Sequence, residues 1–107
     1  MLDQVLARGL ATTACTIYEP RFADPVRQRA AAVGLTAFND VITRQAFTRG
    51  LRLIDLRVVC SGDEDFANPI EPSIRGRAKI AAAIADAIAA RDFTPGRSEV
   101  FAGQADR

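Results

Sequence analysis

Asp24-Pro25 and Gly50 bracket the feature that most limits what this chain can fold into: one unbroken helical pattern set between two short β-branched runs. Asp24 can accept from the free amides of a first turn, Pro25 fits that turn without losing a bond, and Gly50 supplies the stop. Between them Val26, Ala30, Val33, Ala37, Val41 and Ile42 recur along a continuous apolar stripe that Phe38 widens. Upstream, Leu10 to Tyr18 (LATTACTIY) fits a short buried strand ended by Glu19-Pro20. Downstream, Leu51 to Val59 (LRLIDLRVV) reads as a second strand, interrupted by Arg52, Asp55 and Arg57. Strand, long helix, strand is a crossover unit, so the strands are expected to be parallel with a right-handed connection.

A helix over Met1–Arg8, stopped by Gly9, precedes this unit. A loop over Ser61–Pro72 follows it, with Asp63, Glu64 and Asp65 expected to be solvated. Ser73 then caps a last helix running to about Ala90, with Ile80, Ile84 and Ile88 expected on its buried face and alanines filling the rest. The chain divides into an α/β unit over residues 1–93 and a polar tail over 94–107, expected to be loosely ordered or to dock only on a partner. Two parallel strands rarely hold alone, because buried strands need neighbours and cover on both faces. Either a strand lies hidden in the loops or tail, or another chain supplies one. Self-association is the expectation, as a homo-oligomer (a dimer) joined through a sheet edge or through the apolar faces of the first and last helices.

With 107 residues the chain is one domain, and its formal net charge of +1 gives no electrostatic reason for nucleic acid or an anionic membrane as partner. No apolar run approaches the roughly 20 residues that span a bilayer. The start, MLDQVLARGL, carries an early aspartate and lacks the long apolar core of a signal peptide. The two cysteines, Cys15 and Cys60, are read as reduced, buried thiols of a cytoplasmic protein. No metal and no cofactor is expected: zinc would need histidine or clustered cysteines, and the carboxylates of Asp63, Glu64 and Asp65, which could hold Ca²⁺ or Mg²⁺, match no calcium loop in spacing.

From Ala14 onward four stretches carry a resemblance. They are TIYEP (Thr16–Pro20), FNDVI (Phe38–Ile42), LIDL (Leu53–Leu56) and NPIEPSIRGRAKIA (Asn68–Ala81). Together they resemble the C-terminal half of the SGNH/GDSL hydrolase family, over about three quarters of the chain. In the closing stretch Pro72, Ser73, Gly76 and Ile80 fit the spacing of the family's D-x-x-H-P-S-x-x-G block. The resemblance implies part of a flavodoxin-like three-layer sandwich, with a small parallel sheet flanked by helices. It also implies a fold entered midway, hence a truncated domain, with Ser73 capping the last helix and Gly76 letting that helix approach the sheet.

The departures bear on function. Asn68 stands where the family has its acid and Glu71 where it has its histidine base. The Gly-Asp-Ser nucleophile block and the oxyanion-hole segments have no counterpart. Histidine is the usual acceptor of a serine proton near neutral pH. Three readings follow. One is a catalytically incomplete, oligomeric hydrolase-like module. Another is a small esterase of short acyl esters or lactones, with Glu71, Ser73 and Asn68 as its non-standard catalytic group. The third is a binding or complementing half-domain. Tyr18, Glu19, Arg21 and Asp65 are the candidate ligand-binding residues, the first three because they follow a strand at its C-terminal end. Asp55 is expected to be exposed or paired with Arg52 or Arg57. Arg27, Arg29, Arg44 and Arg49 are expected on the wet face of the long helix.

Overall fold

The computed structural model describes residues 2–90 and 97–103. It is a mixed α/β arrangement in which three parallel strands carry helices on both faces. A short helix α1 (Leu2–Leu6) leads to Gly9, whose φ of 71° turns the chain. Strand β1 is Thr13–Cys15, helix α2 is Pro25–Thr48 and strand β2 is Arg52–Ile54. Asp24 caps α2 by accepting from the Val26 amide at 3.1 Å, and Gly50 follows the helix with a φ of 65°.

Both strands are shorter than the β-branched runs that announce them. The run Leu51–Val59 changes state in its middle, because the Asp55 side chain accepts from the Arg57 amide and starts a one-turn helix α3 (Leu56–Val59). Side-chain capping competes with strand continuation, and here it wins. A 3-10 turn over Asp63–Asp65 breaks the following loop. Helix α4 (Ile74–Ala89) begins at Ser73, whose hydroxyl accepts from the Gly76 amide at 3.1 Å.

The third strand, β3 (Val100–Phe101), comes from the segment expected to be a loose tail. It pairs in parallel with β2, Leu53 opposite Val100 and Ile54 opposite Phe101, giving the order β1-β2-β3. A polar composition concealed it, since only two residues enter the ladder. The boundary placed after residue 93 lies outside the described residues.

Alternation along β2 divides the core. Leu53 packs with Ala46, Leu51, Ala14, Ile42, Leu2 and Leu6 on the α1/α2 face. Ile54 packs with Val59, Cys60, Ala83, Ala87 and Phe101 on the α4 face. Helix α2 thus covers β1 and β2, and α4 covers β2 and β3 from the other side. Two successive parallel crossovers that step the same way on opposite faces have opposite hands. One of them therefore has the left hand, which parallel connections adopt in only about 2% of cases.

Two packing expectations are corrected, one on α4 and one at Cys15. On α4 Ile80 packs on the core beside the buried Gly76, Ala83 and Ala87, while Ile84 and Ile88 face water; small side chains let the helix sit close to the sheet. On α2 the sheet-facing side is built from Asn39, Ile42 and Ala46, and the stripe from Val26 to Val41 points outward. Cys60 is buried but Cys15 is exposed, because it lies on the edge strand β1 where α4 does not reach.

Candidate functional site

In an open parallel sheet, ligands enter beyond the carboxyl ends of two neighbouring strands whose connections leave on opposite faces. Here that point lies between β1 and β2, and an internal polar network fills it. Thr16, just past β1, donates from its hydroxyl to Asp55 Oδ1 at 3.0 Å and accepts from the Leu56 amide at 2.9 Å. Arg57 clasps Asp55 with two bonds, Nε to Oδ1 at 2.8 Å and Nη2 to Oδ2 at 2.7 Å. The Arg57 guanidinium is the main reason the Asp55 carboxyl is held below its ordinary value, with Thr16 adding to it. Asn39 on α2 clamps the next residue, accepting from the Ile17 amide and donating to the Ile17 carbonyl, both at 2.8 Å. Asp55 is therefore buried and paired with Arg57 rather than exposed. Arg52 instead turns to the α4 face, where it donates to the carbonyls of Ala87 and Ala90 and lies 4.9 Å over the Phe101 ring.

The loop before α4 forms a second cluster, and two of its three hydrolase-type candidates, Asn68 and Ser73, hold backbone in place. Asn68 Oδ1 accepts from the amides of Ile70 and Glu71 at 3.0 and 2.9 Å, a local turn. Ser73 Oγ donates to the Glu64 carbonyl at 2.7 Å while it accepts from Gly76, so both its proton and its lone pair are engaged. The Glu71 carboxylate is exposed and meets no partner among the described residues. A carboxylate serving as general base needs burial and a hydrogen bond to the hydroxyl it activates, and Glu71 has neither.

Asp65 is completely buried, contrary to the expectation of a solvated loop. Lys79 Nζ sits 2.9 Å from its Oδ1, Arg75 Nε sits at 3.7 Å, and the Gly62 amide donates to Oδ2 at 3.1 Å. Burial opposes its ionisation, but Lys79, the Gly62 amide and Arg75 together hold its carboxyl below the usual range. Burial, with the Asp65 charge behind it, pushes the Cys60 thiol up. Gly76 fits against this cluster: a Cβ there would stand 2.1 Å from the Asp65 carbonyl oxygen. The close approach that Gly76 permits is thus to the 3-10 turn, not to the sheet.

Tyr18 and Arg21 tie this loop to the end of β1. The Tyr18 hydroxyl donates to the Ile70 carbonyl at 2.9 Å, and its ring meets the Phe66 ring edge-on at 5.4 Å. Arg21 donates its amide to the Pro69 carbonyl at 2.7 Å and its guanidinium to the Ser61 carbonyl, and lies 5.4 Å over the Phe66 ring. Glu19 is exposed and near enough to Arg57 to raise its pKa, behind the larger effect of Asp55. An open cleft of about 500 Å³ borders the cluster, and Arg21, Gln28, Phe66 and Asn68 are among its lining. Of the predicted residues only Arg21 and Asn68 meet at that cleft; Tyr18, Glu19, Asp65, Glu71 and Ser73 do not line it.

Thr16 and Asn39 carry the switch-point network and escaped the sequence reading. Thr16 shares its run with Thr12 and Thr13, and Asn39 stands beside Asp40, so nothing local singles either out and only the fold brings it to its partner. Among the described residues no group of three or more carboxylate or thiol residues forms a metal-holding cluster, and no helix is long and apolar enough to cross a membrane. Comparison with protein-family models, with curated proteins and with solved structures found no match.

Proposed function

We propose that this chain is a self-associating, catalytically incomplete module of SGNH/GDSL-hydrolase type. The observation that carries it is the state of the Asn68–Ser73 loop. Asn68, at the position of the family's acid, binds backbone; Glu71, at the position of its base, faces water; and Ser73 caps α4. The order of elements after β2 supports the family reading: a loop, a serine cap, and a helix packed on the sheet face opposite α2. The self-associating part rests on the open edge of β1 and on the apolar side chains left facing water on α2 and α4.

An ester panel tests the catalytic half. The purified chain is expected to turn over neither p-nitrophenyl acetate nor longer acyl esters and lactones above the buffer rate. Turnover that disappears in Glu71→Gln or Ser73→Ala would replace this reading with that of a small esterase.

A further inference from the structure

Helix α2 has two apolar sides, and the fold covers one. Val26, Ala30, Val33, Ala37 and Val41 are spaced so that they fall on a single strip opposite the sheet-facing residues Asn39, Ile42 and Ala46. Val26 is 77% exposed, Val33 67%, Phe38 66% and Val41 57%. The strip runs about 22 Å at the helical rise of ~1.5 Å per residue. A helix at the surface of a finished domain keeps that side polar.

Gly34 supplies a separate observation. It sits in the middle of a 24-residue helix, where glycine is a poorer helix former than alanine. A Cβ at that position meets nothing within 4 Å, so the chain's own packing gives no reason for its absence. Glycine between Ala30 and Ala37 does let another helix approach to the short end of the usual 8–10 Å axial separation.

Charge gives the partner and its direction. Arg29 borders a groove that Val26, Ala30, Val33 and Gly34 also line, and it has no charge partner among the described residues. Asp40 is the one acidic residue of α2, and among the described residues its charge partner is Arg44 on its own helix at 2.8 Å. Residues 29 and 40 lie equally far from the point between Gly34 and Leu35. A two-fold axis through that point sets Arg29 of each copy beside Asp40 of the other, whereas parallel helices would set Arg29 against Arg29. We propose that α2 packs antiparallel on α2 of a second copy about such an axis. The seam is formed by Val26, Ala30, Val33, Ala37 and Val41, with Arg29–Asp40 pairs at both ends. This rests on the self-associating reading above and assigns its surface.

Sedimentation velocity on the full chain tests it, beside Val33→Glu, Gly34→Leu, Arg29→Asp and the double variant Arg29→Asp/Asp40→Arg, with circular dichroism checking that each stays folded. The wild type is expected to sediment as a dimer. Val33→Glu and Gly34→Leu should weaken dimerisation at least tenfold without loss of helix, since both positions face water in the single chain. Arg29→Asp should weaken it less, and the double variant should recover part of that loss. A wild-type dimer that Val33→Glu and Gly34→Leu leave intact would overturn the α2 assignment while self-association through another face, such as the β1 edge, stands. A wild type that is monomeric at every concentration, or that associates only with a different protein, would overturn both.

Discussion

At Gly76 the space available to one methyl group decides whether the last helix can dock. The Asp65 carbonyl oxygen is backbone held in a 3-10 turn and cannot swing aside from a Cβ at 2.1 Å. Gly76→Ala is expected to cost at least about 3 kcal/mol, read as a lowered urea midpoint, because the clash pries α4 from the Asp65 cluster. Ser73→Ala removes a cap and should cost about 1 kcal/mol, leaving the absence of esterase activity unchanged. A stability loss within 0.3 kcal/mol of zero, by the same urea titration and scale, would mean that Ser73 does not hold the helix start. The carboxyls of Asp55 and Asp65 both sit below their ordinary values. Their stabilisation is complete above the unfolded-state value of about 4 and is lost as pH falls through the lower folded values. The melting temperature should therefore hold steady from neutral pH to about 5 and drop below about 4. Asp55→Asn should make that drop shallower, and an acid limb of unchanged steepness in the variant would contradict the assignment.

Among the elements, those with local chemical punctuation were legible in the sequence. Asp24, Pro25 and Gly50 marked α2, and Ser73 marked α4, because caps act through bonds to residues two or three positions away. Strand limits were not, since Asp55 could be read as a polar interruption or as a cap, and only its bonds to Thr16 and Arg57 decide between them. The buried face of α4 was legible only in part. Apolar periodicity finds a stripe but does not say how much of it meets the sheet: Ile80 packs on the core with Gly76, Ala83 and Ala87, and on α2 Ile42 does so with Asn39 and Ala46. The Asn68–Glu71–Ser73 loop was legible as a segment, but spacing alone does not reveal that Asn68 and Ser73 bind backbone while Glu71 faces water. Strand β3 was hidden because two residues carry no periodic signal. It is held by bonds from the Leu53 amide to the Glu99 carbonyl at 2.8 Å and from the Asp55 amide to the Phe101 carbonyl at 2.9 Å, with Arg52 bridging Phe101 to the end of α4. So short a ladder should open more readily than the rest of the sheet. Hydrogen exchange is expected to show the Leu53 and Asp55 amides less protected than the Thr16 amide, which donates to Ile54 across β1–β2. Equal protection would mean that β3 opens only with global unfolding.

On the scale of the whole molecule, three short strands and two clusters of buried side chains leave much apolar surface uncovered. The outward side of α2, the open edge of β1 with Cys15 beside it, and Ile84 and Ile88 on α4 all face water. Net charge of +1 puts little repulsion between copies. The most direct measurement is the mass of the full chain in solution by sedimentation equilibrium across a wide concentration range. A reversible species of twice the 11.5 kDa chain mass is expected; a single 11.5 kDa species at every concentration would contradict it.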